Sequence, residues 1–178
     1  PVAQTVAAPN KIPQISNAST APAITTLDDD DFLFRTTPSD AYQGVAAARL
    51  AVENGDTKVA VIYLNNDYGE GLARAFEEAI TEAGGTETAS AAFEPNQASY
   101  RSDLSVLANS GAEALVLVAY PDDGGMTILR QSLEEGFFDR FILTDGMKAE
   151  GLLTQIGGEY LEGTYGTAAR SVESEASE

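Results

Sequence analysis

The chain has 178 residues, 43% of them hydrophobic, which is enough for one domain, or one and a fraction, around a sizeable core. It has no histidine and no cysteine, which excludes Ser-His-Asp triads, imidazole metal sites, disulfides and thiolate chemistry. A formal net charge of −18, from 28 acidic and 10 basic residues, repels phosphate backbones and makes nucleic acid an unexpected partner.

Residues 1–36 carry Pro1, Pro9, Pro13 and Pro22, a short strand signal at 12–16, and the polar stretch Asn17-Ala-Ser-Thr20. The run Asp28-Asp-Asp-Asp31 reads as a solvated loop, because it lacks the spaced oxygen ligands and fixed glycine of a calcium loop. An extended segment, Phe32-Leu-Phe-Arg-Thr-Thr37, follows. A helix is expected over 40–54, with Asp40 as N-cap, Gln43 in the capping-box position and Gly55 as the stop.

The next stretch is the most informative. Residues 59–64 form a continuous apolar, β-branched run, as a parallel strand covered on both faces requires. Tyr68, Leu72, Ala75, Phe76, Ala79, Ile80 and Ala83 then recur at helical spacing over 68–83. Asp67 is the expected cap, with Glu70 as its capping-box partner, and Gly84-Gly85 ends the helix. The loop 65–69 therefore lies at the carboxyl end of a parallel strand, where open α/β sheets bind ligands.

A weak strand is expected near 88–93, a helix over 99–109, and a second buried strand over 114–118. A helix over 122–135, a short strand at 141–143 and a helix over 149–156 complete the series. This βαβαβαβα order, with short loops, predicts a parallel sheet between two helical layers. The last residues, 171–178, are small, polar and acidic, and the chain reads as a piece of something longer.

No run reaches the 18 or so apolar residues of a membrane span. The first residues show neither an initiator Met nor a basic segment followed by an apolar one, so location is not legible from the terminus. Only Lys11, Lys58 and Lys148 are lysines. The acid-rich, Lys-poor surface reads first as a solubilising one and second as one suited to high ionic strength.

Gly69-Glu-Gly-Leu-Ala-Arg74 covers most of a dinucleotide fingerprint, but Arg74 replaces the third glycine and four residues separate Gly69 from the strand end, where that fingerprint needs a tight turn. A nucleotide-dependent enzyme is thus the weakest reading, and the glycines fit close approach to a ligand or to neighbouring backbone. Tyr68, Tyr120 and Asp145 each follow a strand at one edge of the sheet. Two aromatic walls and a carboxylate suit a ligand with an apolar body and an ammonium group. They offer no nucleophile–base pair, so no catalytic residue, cofactor or metal is expected, and Asp122-Asp123 read as helix caps. Ser16, Ser19 and Thr20 follow the first strand signal, where hydroxyls and turn amides could capture a carboxylate.

Together these residues resemble the type I periplasmic solute-binding proteins of ABC importers, specifically the branched-chain amino acid (Leu/Ile/Val) group. Ile15-Ser-Asn-Ala-Ser-Thr-Ala-Pro22 is similar to the family's first-lobe loop, and Phe34-Arg-Thr-Thr-Pro-Ser-Asp40 with Gln43-Gly44 to its interlobe crossing. Asp67-Tyr-Gly-Glu-Gly-Leu-Ala73 is the most specific motif, and Tyr120-Pro121, Leu129-Arg-Gln131 and Asp145-Gly146 complete the pattern. The resemblance implies a three-layer α/β/α lobe of a two-lobe protein. Residues 1–37 would be a remnant of the first lobe and the interlobe crossing, 38–163 the second lobe, and 164–178 the return crossing.

It also implies roles. Ala18 and Thr20, with Ser19 between them, match positions that bind an α-carboxylate and amine. Tyr68 and Tyr120 match aromatics that close over the ligand, and Asp145 matches an acidic position that pairs with the α-ammonium. The implied protein is an extracytoplasmic, periplasmic binding component that hands an amino acid to a membrane permease. The competing expectation is a ligand-sensing domain of a receptor or regulator. Without their partner lobe, Ile12, Ile15, Phe32 and Phe34 would expose apolar surface, so residues 1–36 are expected to pack on the second lobe or to mediate a dimer.

Overall fold

The computed structural model describes residues 2–170. The strands are β1 (Gln14–Ser16), β2 (Leu33–Arg35), β3 (Lys58–Leu64), β4 (Thr86–Phe93), β5 (Ala114–Val118), β6 (Phe141–Leu143) and β7 (Tyr165–Gly166). The α-helices are α1 (Asp40–Glu53), α2 (Asp67–Glu82), α3 (Arg101–Ala108), α4 (Met126–Glu135) and α5 (Gly151–Ile156).

The main sheet has five strands in the order β4-β3-β5-β6-β7, all parallel. Alternation along its central strands explains the two helical layers. Ile62, Leu64, Leu115, Leu117 and Phe141 face a core that includes Tyr100, Leu104 and Leu107 of α3 and its N-cap, and Ile128 and Leu129 of α4. Val59, Val61, Val116, Val118 and Ile142 face Ala47, Ala48 and Ala51 of α1 and Leu72, Phe76 and Ile80 of α2. Each residue of β5 is buried, so its unbroken apolar run satisfies both layers at once. This is a three-layer α/β/α arrangement.

Several local expectations are corrected. Asp40 does not cap α1. Ser39 does, accepting from the Ala41 amide, while Asp40 turns inward and is fully buried. Asp67 does not cap α2 either. Asn66 accepts from the Gly69 amide at 2.8 Å, because its extended backbone aims its side chain at the first turn.

The helix expected over 122–135 is broken. Residues 121–125 form one wide turn in which Gly124 has φ 130°, and α4 begins at Met126. A Cβ on Gly124 would lie 2.4 Å from the Tyr100 hydroxyl, so glycine lets this turn close over that ring. Neither Asp122 nor Asp123 makes a side-chain cap. The weak strand at 88–93 extends back to Thr86, and the flanking helices α3 and α5 are each shorter than the periodicity suggests.

The chain before α1 forms a separate two-stranded parallel pair, β1 with β2. The aspartate run makes the turn into β2: Asp29 accepts from the Leu33 amide, and Asp30 and Asp31 adopt left-handed backbone. Ile15 and Phe34 stand opposite each other in this pair, and both are exposed, as is Ile12, whereas Phe32 is half-buried. Residues 171–178, the acidic end of the expected return crossing, and Pro1 lie outside the described residues.

Candidate ligand site at the carboxyl edge of the sheet

The sheet order fixes where a ligand can enter. From β3 the chain moves outward to β4, then returns to place β5 on the other side of β3. The connections thus diverge between β3 and β5, which opens a crevice beyond their carboxyl ends. Tyr68 follows β3 and Tyr120 follows β5, and their rings stack across this crevice with centroids 5.0 Å apart. Asp145 follows β6 on the same edge.

The three side chains are joined. The Tyr68 hydroxyl donates to Asp145 Oδ1 at 2.8 Å, accepts from the Gly146 amide at 3.2 Å, and lies 3.0 Å from Thr144 Oγ1. Tyr68 is buried, whereas Tyr120 is 39% exposed and offers a free ring face. Burial, then the charge of Asp145, pushes the Tyr68 phenol far above its ordinary value, so it stays a neutral donor. Burial also raises Tyr120, with Asp145, Asp40 and Asp123 adding to the shift.

The loop after β1 supplies the other wall. Ser16 Oγ accepts from the amides of Ala18 (3.4 Å) and Ser19 (3.0 Å) and donates to the Ser19 hydroxyl at 2.8 Å. Ala18 and Ser19 are exposed on this loop, with those amides turned onto Ser16. Thr20 is buried and lines a recess of about 240 Å³ with Ser39, Tyr42, Gln43, Asp145 and Thr167. Gln43 closes its floor by donating to the Thr167 carbonyl at 3.1 Å. Thr20 and Asp145 are therefore brought together, beside Tyr68 and Tyr120, while Ala18 and Ser19 are not among the residues lining that recess.

One participant escapes the sequence pattern. Asp40 is fully buried beside this recess, and neither of its carboxylate oxygens has a hydrogen-bond partner. Burial pushes it up to about 6. Asp145 adds to the rise, against the opposing pull of the neighbouring Thr20 hydroxyl and of Arg35. Arg35 does not reach it, because its guanidinium bonds the carbonyls of Thr20 and Ala21 and the Thr25 hydroxyl. A Ser-Asp pair before a helix is the signal that could have found it: only one of the two can be the cap. Asp145 thus lines the recess with Asp40 buried nearby, and among the described residues no cation forms an ion pair with either. The recess attracts a positively charged group.

The glycines of the fingerprint-like stretch serve packing. A Cβ on Gly69 would lie 1.9 Å from the Leu64 carbonyl oxygen, and one on Gly71 2.6 Å from Pro22 Cδ. They let α2 turn back against its own strand and against the 22–26 segment, and they open no pyrophosphate cradle. Larger recesses of about 640 and 760 Å³ lie beside the outer strands β4 and β7. Among the described residues, no group of acidic side chains is placed to hold a metal ion, and no helix is long and apolar enough to cross a membrane.

The Receptor family ligand binding region matches residues 1–175. The chain belongs to this ligand-binding family. It is 29% identical over 162 residues to a Leu/Ile/Val-binding protein homolog of Brucella melitensis, covering 90% of this chain and 43% of that protein. A leucine binding protein from Thermotoga maritima superposes with a TM-score of 0.76 at 31% identity, over 88% of this chain and 44% of that one. Human metabotropic glutamate receptor 8 is 32% identical over 117 residues, covering 64% of this chain and 13% of the receptor. These relatives are binding proteins and a receptor, not enzymes, and the fold is that of a type I periplasmic binding protein. The chain spans less than half the length of the relatives it matches.

Proposed function

We propose that this chain is the second lobe, with part of the first, of a substrate-binding component that delivers an amino acid to an ABC importer. The observation that carries this reading is the Tyr68–Asp145 hydrogen bond under the Tyr68–Tyr120 stack, beside the unpartnered Asp40. An α-ammonium would meet the carboxylate of Asp145. An apolar side chain would lie on the exposed face of Tyr120, and Ala18, Ser19 and Thr20 would approach the α-carboxylate once the cleft closes. The names of the Brucella and Thermotoga proteins support a branched-chain ligand. In this reading the protein works outside the cytoplasm, its partners are the free amino acid and a membrane permease, and it needs no cofactor.

Mass spectrometry of ligand released from the full-length protein, followed by calorimetry with a panel of amino acids, tests this. A charge-assisted hydrogen bond contributes roughly 1.5–3 kcal/mol, so Asp145→Asn is expected to weaken binding by about 10- to 150-fold. Unchanged affinity would make an uncharged ligand, such as an amide, the better assignment. A sensory receptor domain is the second reading, favoured by the glutamate receptor match, and a signalling segment in the full-length protein would decide for it.

A further inference from the structure

We propose that Asp40 is a proton-exchange group of this cleft: in a mildly acidic medium its carboxyl holds a proton while the cleft is empty, and the ammonium of an arriving ligand replaces that proton. The inference rests on the amino-acid reading above and adds to it a regulation by pH.

Asp40 stands in the first turn of α1, held there by its own amide, which donates to the Thr20 carbonyl at 2.9 Å. The side chain has no exposed surface, and neither oxygen is met at full hydrogen-bond geometry, although the neighbouring Thr20 hydroxyl favours the charged form. The polar groups that face it come from four elements. Thr20 lies on the loop after β1, Arg35 on β2, Tyr120 beyond β5, and Asp145 beyond β6. Arg35 is bonded elsewhere, Tyr120 is neutral, and Asp145 repels a second negative charge. The helix N-terminus favours an anion, but by less than the cost of leaving a buried carboxylate unpaired. The ion therefore needs a mobile counter-charge. In the empty lobe a proton supplies it below about pH 6, and in the filled one an ammonium supplies it.

The Asp40 carboxyl stands at about 6, inside the range that environments outside the cytoplasm cross. Affinity for an ammonium-bearing ligand is then expected to rise about tenfold from pH 5 to pH 7 and to level off above. Binding at pH 6 is expected to release about half a proton per ligand, falling towards zero at pH 8.

Calorimetry of the full-length protein with L-leucine, in buffers of different ionisation enthalpy from pH 5 to 8, measures both quantities. Asp40→Asn is expected to bind more weakly, with no proton release and no pH dependence over that range. Carbon-13 NMR of the Asp40 carboxyl in unsubstituted protein is expected to titrate near pH 6 when empty and to leave that window when saturated. This second measurement stands even if the variant folds poorly. Leucine affinity that is constant from pH 5 to 8, without proton release, would overturn the exchange and leave the amino-acid reading intact. Proton release that persists in Asp40→Asn would overturn it as well. Failure of every amino acid in a panel to bind at any pH would overturn the reading of the cleft, and this inference with it.

Discussion

The Tyr68 hydroxyl donates to Asp145 Oδ1 at 2.8 Å across a sequence separation of 77 residues, joining the first turn of α2 to the end of β6. The same oxygen accepts from the Gly146 amide, so the carboxylate and the turn that carries it are both fixed by one phenol. Tyr68→Phe keeps the ring and its stack on Tyr120 but leaves a half-buried carboxylate and an amide without this partner. Urea denaturation is expected to show a loss of roughly 1–3 kcal/mol, the cost of a partly buried group left unsatisfied. Tyr120→Phe, at a ring whose hydroxyl makes no hydrogen bond among the described residues, is expected to stay within about 0.5 kcal/mol. Equal effects from the two substitutions would show that the hydroxyl of Tyr68 does not organise the site.

Gly69 and Gly71 stand two residues apart yet are expected to respond differently to alanine. At Gly69 the new Cβ meets the Leu64 carbonyl oxygen, which belongs to the central strand β3 and is registered against Phe93 of β4, so it cannot move without disturbing that pairing. At Gly71 it meets the ring of Pro22, on a segment outside the main sheet. Gly69→Ala is expected to cost about 3 kcal/mol or more, and Gly71→Ala about 1 kcal/mol, with the 22–26 segment displaced. Chemical denaturation of both variants measures the difference, and the opposite ranking would place the rigid contact at Pro22.

The main sheet was legible because β5 and residues 59–62 of β3 are buried on both faces and carry no polar residue to blur the pattern. Tyr68, Tyr120 and Asp145 were legible because topology alone puts them at one edge. Asp40 was not, because a capping aspartate and a buried one have the same neighbours in sequence, and only the backbone of Ser39 decides between them. The break at Gly124 was hidden for a related reason: what forces it is Tyr100, 24 residues earlier, and local periodicity carries no trace of that ring.

Ile15 and Phe34 form a registered pair on the exposed side of β1 and β2, at 70% and 51% exposure. Ile12 adds to the same segment. Exposed apolar surface of this kind drives association. The isolated chain is expected to dimerise through this face, with Ile15→Ser and Phe34→Ser together shifting it to monomer. Sedimentation velocity over a concentration series measures this. A chain that is monomeric at every concentration would mean that the pair is tolerated in water.

Two buried carboxyls of opposite sign are expected to give the ligand-free fold a stability maximum near pH 4, with a decline from there towards pH 6. Burial would raise Asp56, but Arg140, at 2.7 and 2.8 Å, and the Tyr165 hydroxyl, at 2.6 Å, outweigh it and hold the carboxyl below its ordinary 3.8. A group lowered on folding contributes stability above its unfolded value and loses it as pH falls through the folded one, so this term disappears below about pH 4. Asp40 has the opposite sign. Raised by burial from 3.8 to about 6, it binds more protons in the folded state over that window, and its contribution is lost as pH rises through 6. The shift corresponds to about 3 kcal/mol. Glu87, pushed up to about 7 by burial on β4, acts in the same sense. Urea denaturation at steps from pH 3 to 8 is expected to show Asp40→Asn flattening the decline between pH 4 and 7 while the acid limb remains. Arg140→Ala is expected to remove the Asp56 contribution, at roughly 2–3 kcal/mol near pH 5, less than for a fully buried pair because the guanidinium is half in water. A loss of stability at pH 7 in Asp40→Asn would show that the folded protein already neutralises this charge, and that the carboxyl does not need a ligand to do so.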